Sequence, residues 1–204
     1  MDFSAQGLAS YLPELAIAAA LAWGSGLRAY AVIFATGLAG ALGWVELPGH
    51  LDVLRHPLVL GASGFMTCVE LFADKLPWLD SVWDAIHSFI RIPAGAALAA
   101  AVFGDAGTAV AISAAILGGS LTAAVHAAKA GTRAAINTSP EPFSNWAASL
   151  TEDALVPAGL WVGFTHPVLF FALLAVFLAA ALLLAWLLWR GLAFLARRTK
   201  NEHQ

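Results

Sequence analysis

The side chains in this sequence that could do chemistry are charged groups set among apolar residues. Seven of them lie between positions 70 and 91, namely Glu70, Asp74, Lys75, Asp80, Asp84, His87 and Arg91. The last four are spaced four, three and four residues apart, which places them on one face of an α-helix. Carboxylates beside an imidazole could coordinate a divalent cation or relay protons. The alternative is a network of ion pairs that only stabilises the fold.

A second polar group follows further along the chain. It consists of His126, Lys129, Arg133, Glu152 and Asp153. The first three share a helical face, and the two acids belong to the next predicted helix. One interpretation is a polar pathway lined by both groups, and the other is that the groups neutralise each other across an interface. Since no HExxH or ExxH pattern is present, we predict neither a metal site nor a cofactor.

Arg28 is the most unusual charged residue, because it lies within a long apolar stretch directly after Gly24-Ser25-Gly26. A guanidinium at that depth needs a carboxylate, water or a break in the helix. Glycines that release the helix would suit an anion or substrate contact at a half-helix end. The alternative is a buried ion pair with Glu70, Asp74 or Glu152. In both cases we predict a carboxylate within salt-bridge or one-water reach of Arg28, in the protein interior.

The composition indicates that membrane helices position these residues. The chain is 60% hydrophobic and only 11% charged, whereas soluble domains carry about 25% charged residues. The net charge of −3 shows no basic excess, which argues against nucleic acid as a partner. Cys68 is the only cysteine, so an intramolecular disulfide is excluded, and we expect a packed, inert thiol. The predicted surroundings are a lipid bilayer.

We predict an all-α integral membrane protein, with residues 1–204 as one transmembrane domain. A bilayer core needs about 20 apolar residues per helix. Six crossings are expected, at 12–44, 57–73, 83–103, 107–128, 145–164 and 166–189. The first stretch is too long for one upright span. We therefore expect it to break at Gly24–Gly26, either as a kinked helix or as two half-spans.

The basic residues give an orientation. Arg190, Arg197, Arg198 and Lys200 follow the most apolar span, so residues 190–204 are predicted to be a cytoplasmic basic tail. Tracing back places the loops near Lys75 and near 129–133 on the cytoplasmic side and the 49–56 loop outside. The side of the N-terminus depends on whether the first stretch crosses once or twice.

Two segments, 61–96 and 118–160, resemble each other and predict an internal repeat of two helical hairpins. Each has Gly-x-Ser entering a helix, a polar tip with proline, a tryptophan after the tip, and a Pro-Ala-Gly exit. Transporters use such repeats with a site between the halves. The alternative is convergent composition. Separately, Gly37, Gly40 and Gly43 would allow close helix approach within the chain or in a homo-oligomer.

Three stretches resemble a known family: "WGSGLRAYAVIFATGLAGALGW", "ELFADKLPWLDSVWDAIHSFIRIPAGA" and "EPFSNWAASLTED". They are similar to the bacterial membrane family known as domain of unknown function 4126, over about residues 12–183. The most specific part is "FADKLPWLDSVWD". The resemblance implies a small multi-pass protein of the bacterial inner membrane. It implies no established activity, substrate or site residue.

For function, the sequence predicts a small-solute or ion transporter or a channel-like protein. The alternative is a membrane scaffold or assembly factor without a transport path, and the third is a membrane-embedded enzyme. No Gly-x-Ser-x-Gly elbow, Walker A loop or dinucleotide fingerprint is present, so we predict no enzyme activity. A cavity reaching Arg28 favours transport, whereas a dry, paired network of charges favours a scaffold.

Overall fold

In the computed structural model, residues 10–137 and 142–201 are described, with side chains at all of these positions except 77, 78, 80, 81, 142 and 192–201. This part of the chain is helical and contains no strand. Its six α-helices are α1 (Leu12–Ala41), α2 (Pro57–Ala73), α3 (Pro77–Val102), α4 (Thr108–Ile136), α5 (Pro142–Thr165) and α6 (Pro167–Asn201). Two 3-10 helices, Gly49–Arg55 and Gly104–Ala106, follow α1 and α3.

Local sequence explains where the helices begin. Proline occupies the first position of α2, α3, α5 and α6, where its missing N–H costs no hydrogen bond and its fixed φ suits a helix. The side chain of His56 also caps α2, since its Nδ1 accepts a hydrogen bond from the Leu58 N–H at 3.3 Å. Gly107 has a φ of +97°, a value that favours glycine. A glycine at this position therefore suits the turn between α3 and α4.

Helix α1 is broken at Arg28, whose backbone is non-helical with φ −149° and ψ 85°. A Cβ built on Gly24 would lie 2.7 Å from Cγ2 of Val32. In a straight helix residues eight positions apart are separated by about 12 Å, so the two arms of α1 fold toward each other. The break expected from the glycines is confirmed, two residues after Gly26.

Both arms of α1 run from Arg28 toward the same end of the bundle. On the first arm, Ala20 packs against Gly163 near the end of α5. On the second arm, Thr36 lines a cavity together with Leu160 and Phe164 of the same helix. Helix α1 is therefore V-shaped, with Arg28 at its tip.

The two ends of the bundle are distinct. The end that carries both 3-10 helices, here called the loop end, is tied together by His50 and Asp105, whose Nε2 and Oδ1 atoms are 3.3 Å apart. Tyr11, at the start of α1, lines a cavity with Phe103 at this end. At the opposite end, here called the turn end, the indole of Trp146 donates a hydrogen bond to the Lys75 carbonyl at 3.2 Å.

Helix α1 is the centre of the bundle. Helices α2 to α5 all pack extensively against it, and α3 and α4 also pack closely together. The two helices of each predicted repeat, α2 with α3 and α4 with α5, make few contacts with each other. Helix α6 lies at the periphery, where 6% of its apolar window is buried against 72% for α1.

By length and composition alone, four of the described helices could cross a membrane: α1 taken over both arms, α3 from Val82, α4, and α6 to Gly191. The bent pair of Gly49–Arg55 and α2, with an angle of 74° between them, would make a fifth. The six crossings expected from the sequence are not confirmed. Helix α2 alone has only 17 residues, and α5 carries Glu152 and Asp153 within its length. Cys68 is exposed, so the expectation of a packed thiol was wrong.

Candidate functional site

Arg28, at the tip of the V, is 1% exposed and binds two acids. Its Nη2 lies 3.0 Å from Oδ2 of Asp74 and 2.7 Å from Oδ1 of Asp153. The same nitrogen donates hydrogen bonds to the carbonyl and the hydroxyl of Ser149, at 3.3 and 3.0 Å. The predicted ion pair in the protein interior is therefore present, with Asp74, the residue directly after α2. Glu70, the other expected partner on α2, pairs with Arg91 instead.

Arg91 of α3 is the second buried cation. Its Nη2 lies 2.7 Å from Oε1 of Glu70, and its Nη1 lies 2.5 Å from Oδ1 of Asp84. His126 of α4 joins this group, since its Nδ1 is 3.4 Å from Nη1 of Arg91. Its Nε2 lies 2.6 Å from the hydroxyl of Ser88. Glu70 of α2 and Asp84 of α3 therefore share the guanidinium of Arg91.

Lys129 of α4 links the two arginine centres. Its Nζ lies 3.2 Å from Oε2 of Glu152 and 3.4 Å from one carboxylate oxygen of each of Asp74 and Asp84. It also donates a hydrogen bond to the Leu27 carbonyl at 3.1 Å. That carbonyl directly precedes the non-helical residue Arg28, so a side chain of α4 satisfies backbone at the break.

Arg133, one turn further along α4, completes the ionic contacts. Its Nη2 lies 3.1 Å from Oε1 of Glu152, and its Nη1 donates to the carbonyl and the side-chain oxygen of Asn145. A loop was expected around Lys129 and Arg133, but both residues lie within α4. Helix α4 continues to Ile136, and the spacing of four residues turns both side chains into the bundle.

Together these side chains form what we call the charge cluster. Helices α1 to α5 all contribute to it, and among the side chains that the structure describes it contains Arg28, Arg91, Lys129, Arg133, Glu70, Asp74, Asp84, Glu152 and Asp153. These described members are four cations and five carboxylates. Buried charges are expensive unless they are paired, and every one of these has an oppositely charged partner.

Two of the predicted site residues lie beside the cluster rather than in it. His87 is buried, but its ring stacks on Trp83 with 3.9 Å between centroids. Its Nδ1 lies 2.9 Å from the Trp83 carbonyl. Lys75 donates to the Leu71 carbonyl at 3.0 Å. The predicted polar face of α3 is buried at Asp84, His87 and Arg91, and the side chain of Asp80 lies outside the described residues.

Sequence reasoning missed two neutral members of the site, Asn145 and Ser149, which are 1% and 0% exposed. They bind Arg133 and Arg28, respectively. Their spacing was an available signal. Asn145, Ser149 and Glu152 follow one another at intervals of four and three residues, so they form one polar face on α5.

Two clefts reach the cluster from different sides. The first, of about 320 Å³, lies among α1, α4, α5 and α6 and is lined by Lys129 and Glu152 as well as apolar residues such as Phe177. The second, of about 300 Å³, lies among α1, α2 and α5 and is lined by Arg28 and Asp153. The cluster is thus buried but lies at the base of two openings.

The fold and this cluster define the class: an all-α protein with membrane-span-like helices and a polar centre built around a broken helix. The chain belongs to the family described as domain of unknown function (DUF4126), whose model matches residues 15–189. No curated protein matches the chain. No solved structure matches it either.

Proposed function

We propose that the protein moves an ion or a small solute across a membrane, along a pathway that passes the tip of α1. The observation that carries the proposal is the broken helix whose tip, Arg28, meets the charge cluster in the protein interior. Non-helical backbone at membrane depth is tolerated where it is buried in protein or lines a cavity. Transporters place such broken helices at their binding sites.

The clefts support this proposal, because each brings one carboxylate of the cluster to an opening. Glu152 lines the cleft beside α6, and Asp153 lines the cleft beside α2. These two neighbours in sequence face different sides of α5 and share Arg28, whose Nη2 lies 2.7 Å from Asp153 and 3.9 Å from Glu152. An ion entering one cleft would need only a local rearrangement around Arg28 to reach the other.

The pathway that we propose includes Arg28, Glu70, Asp74, Asp84 and Arg133. We further propose that the protein resides in the cytoplasmic membrane of a bacterium with its C-terminus in the cytoplasm, and that it has no enzymatic activity. We propose that lipid covers the large apolar side chains of α6, many of which are exposed. A homo-oligomer is also part of the proposal.

The alternative function is a membrane scaffold or assembly factor. The observation that favours it is the mutual pairing of all nine charges, which would serve as well to hold five helices together. Ionic networks of this kind can fix a unique arrangement without binding any ligand. Transport measurements separate the two functions.

The experiment uses the full chain reconstituted in liposomes, with fluorescent indicators for H⁺, Na⁺, K⁺ and Cl⁻ flux under an imposed membrane potential. We expect flux of at least one of these ions in the wild type. Arg28→Lys should fold and lose that flux at least tenfold, because a single ammonium cannot reproduce the planar fork that binds Asp74, Asp153 and Ser149 together.

The matched control is Arg55→Lys. Arg55 is half-exposed and pairs with Asp52 at 3.2 Å, outside the cluster, so its flux should equal that of the wild type. Absence of flux for all four ions, or an unchanged flux in Arg28→Lys, would count against the pathway and in favour of the scaffold.

A further inference from the structure

The two clefts that reach the charge cluster present the same combination of charges. The cleft beside α6 is lined by Lys129 and Glu152, whose Nζ and Oε2 atoms are 3.2 Å apart. The cleft beside α2 is lined by Arg28 and Asp153, whose Nη2 and Oδ1 atoms are 2.7 Å apart. Three other clefts, of about 460, 290 and 220 Å³, are lined by no charged residue among those described. A cation paired with a carboxylate therefore distinguishes these two clefts.

Such a pair limits which ligand can enter, most strictly in the cleft beside α2. Arg28 is the only described cation within salt-bridge distance of Asp153. An anion that took Arg28 from Asp153 would leave this carboxylate without a partner, and a lone partly buried charge is unfavourable. A ligand with both charges can insert between the two, so that each protein charge exchanges one opposite partner for another. The pair therefore favours a zwitterion.

The hydroxyl groups in the clefts suit the positive end of such a ligand. Thr67 lines the cleft beside α2, and Thr132 and Thr151 line the cleft beside α6. Each donates its hydrogen to a carbonyl one turn earlier in its own helix, at 2.7 to 2.9 Å. The remaining lone pairs of each hydroxyl oxygen accept hydrogen bonds. An ammonium group, which only donates, is the partner that fits them.

Arg28 has donors for the negative end of the ligand. Every described partner of its side chain binds one nitrogen, Nη2. Within the described part of the chain, Nε and Nη1 have no hydrogen-bond partner, although both atoms are buried. A guanidinium carries five N–H donors, and buried donors without an acceptor are unfavourable. A carboxylate beside Arg28 would accept hydrogen bonds that no described residue accepts.

The rest of each wall is apolar and includes one phenylalanine. Phe34 and Val156 line the cleft beside α2, and Phe177 and Leu155 line the cleft beside α6. The volumes of the two clefts, about 300 and 320 Å³, are at the small end of the range for ligand pockets. The clefts therefore suit a small molecule whose charged groups lie next to an apolar side chain.

We propose that the two clefts bind a small zwitterion with an apolar side chain, and that this ligand is a neutral α-amino acid. Its carboxylate binds Arg28 in the cleft beside α2 and Lys129 in the cleft beside α6. Its ammonium group binds Asp153 in the first cleft and Glu152 in the second. Since Nε and Nη1 of Arg28 are buried, the guanidinium turns toward the cleft when the ligand enters. The inference rests on the proposed function and makes the amino acid the transported solute.

The test is equilibrium binding of radiolabelled L-alanine, L-leucine and L-phenylalanine to the full chain in lipid nanodiscs. We expect at least one of them to bind. Unlabelled analogues that lack either the amino or the carboxyl group then compete with it; for leucine these are 4-methylpentanoate and 3-methylbutylamine. The amino acid should bind at least tenfold more tightly than either analogue, because each analogue leaves one charge of the ion pair without a partner.

Two variants connect the binding to the cleft beside α2. Asp153→Asn should bind the amino acid at least tenfold more weakly and the analogue without the amino group no more weakly than the wild type, because only the ammonium group loses its partner. Phe34→Ala enlarges the cleft and should shift the preference at least threefold from L-alanine toward L-phenylalanine. The control is Phe65→Ala, on α2 but outside both clefts and 68% exposed, which should bind like the wild type.

Binding of none of the three amino acids, or an analogue that binds as tightly as its amino acid, would overturn this ligand. Equal changes of both affinities in Asp153→Asn would do the same, and so would an unchanged size preference in Phe34→Ala, which remains informative if Asp153→Asn does not fold. The measurement involves no transport. Amino-acid binding by a protein that passes neither ions nor that amino acid into liposomes would reject the proposed function and leave the ligand site standing. Ion flux without amino-acid binding would do the reverse.

Discussion

Arg28 shows why a buried arginine constrains its surroundings so strongly. A buried guanidinium is costly without opposite charges beside it, so the fold must supply carboxylates at the place where the chain puts it. Asp74 at the end of α2 and Asp153 on α5 supply these charges, and Ser149 on α5 adds hydrogen-bond acceptors. The arginine therefore selects which helices can meet at the tip of α1.

We predict that Arg28→Ala lowers the free energy of unfolding by about 3–5 kcal/mol, as for a broken buried ion pair. The reason is that Asp74 and Asp153 would keep their charges without their shared partner. Unfolding in mixed detergent micelles, followed by circular dichroism, measures the change.

Arg55→Ala is the matched control for that measurement. Because Arg55 is 40% exposed, water screens its ion pair, and we expect a loss of about 0–1 kcal/mol. Arg28→Ala combined with Asp153→Asn should recover part of the stability, since it removes an acid together with the cation. Equal effects of Arg28→Ala and Arg55→Ala would show that the pair at the tip is not structural.

At the scale of single residues, the sequence predicted the members of the site better than their pairing. Spacing of three and four residues placed Asp84 and Arg91 on one face, and burial of that face follows from its apolar surroundings. The choice between Glu70 and Asp74 as the partner of Arg28 depends on the rotation of α2 about its axis. That rotation is set by contacts between helices, which spacing within one helix does not encode.

At the scale of helices, glycines allow the first arm of α1 to approach α4. A Cβ built on Gly26 would lie 2.7 Å from Cβ of Val125 and 2.8 Å from the Thr122 carbonyl oxygen. Thr122 also donates a hydrogen bond to the Ala22 carbonyl at 2.8 Å. Small residues permit such contact where no hydrophobic effect drives helices together in lipid.

Gly26→Ala should therefore destabilise the protein by about 1–3 kcal/mol, the usual cost of overpacking. Gly61→Ala is the control, because a Cβ at Gly61 meets nothing within 4 Å. In a helix this second change should be neutral or stabilise by about 0.5–1 kcal/mol. Thermal unfolding in detergent compares the two variants. A Gly26→Ala protein as stable as Gly61→Ala would mean that α1 and α4 pack differently.

The helices themselves were largely predictable, and the path of α1 was not. The predicted spans begin within six residues of the described helices, and four of the six begin within one residue. The Gly24-Ser25-Gly26 sequence predicted a break, but a kink and a reversal have the same local signal. A V is distinguished from a bent span by the packing of Ala20 against Gly163 and by the cavity that Thr36 lines with Leu160, and both are long-range features.

At the scale of the whole molecule, the V changes how the charges should be counted. The positive-inside rule applies to basic residues in short loops and near span ends. The rule does not apply to the four basic residues of the buried charge cluster, which are Arg28, Arg91, Lys129 and Arg133. The basic residues left to count are Lys75 and those of the 190–204 tail at the turn end, and Arg55 at the loop end. From this count we propose that the turn end faces the cytoplasm.

The V-shaped helix leads to a topology that differs from six simple crossings. Both arms of α1 run to the loop end, so Ser10 should lie on the same side as Asp105, and opposite to Lys75 and Gln204. Six crossings would instead place Ser10 on the side of Gln204.

Single cysteines at Ser10, Lys75, Asp105 and Gln204, in a Cys68→Ala background, test this with a membrane-impermeant maleimide on intact cells. We expect labelling at Ser10→Cys and Asp105→Cys, and none at Lys75→Cys or Gln204→Cys until the membrane is permeabilised. Labelling of Ser10→Cys only after permeabilisation, with Asp105→Cys labelled before it, would show that α1 crosses once and that its tip is not a reversal.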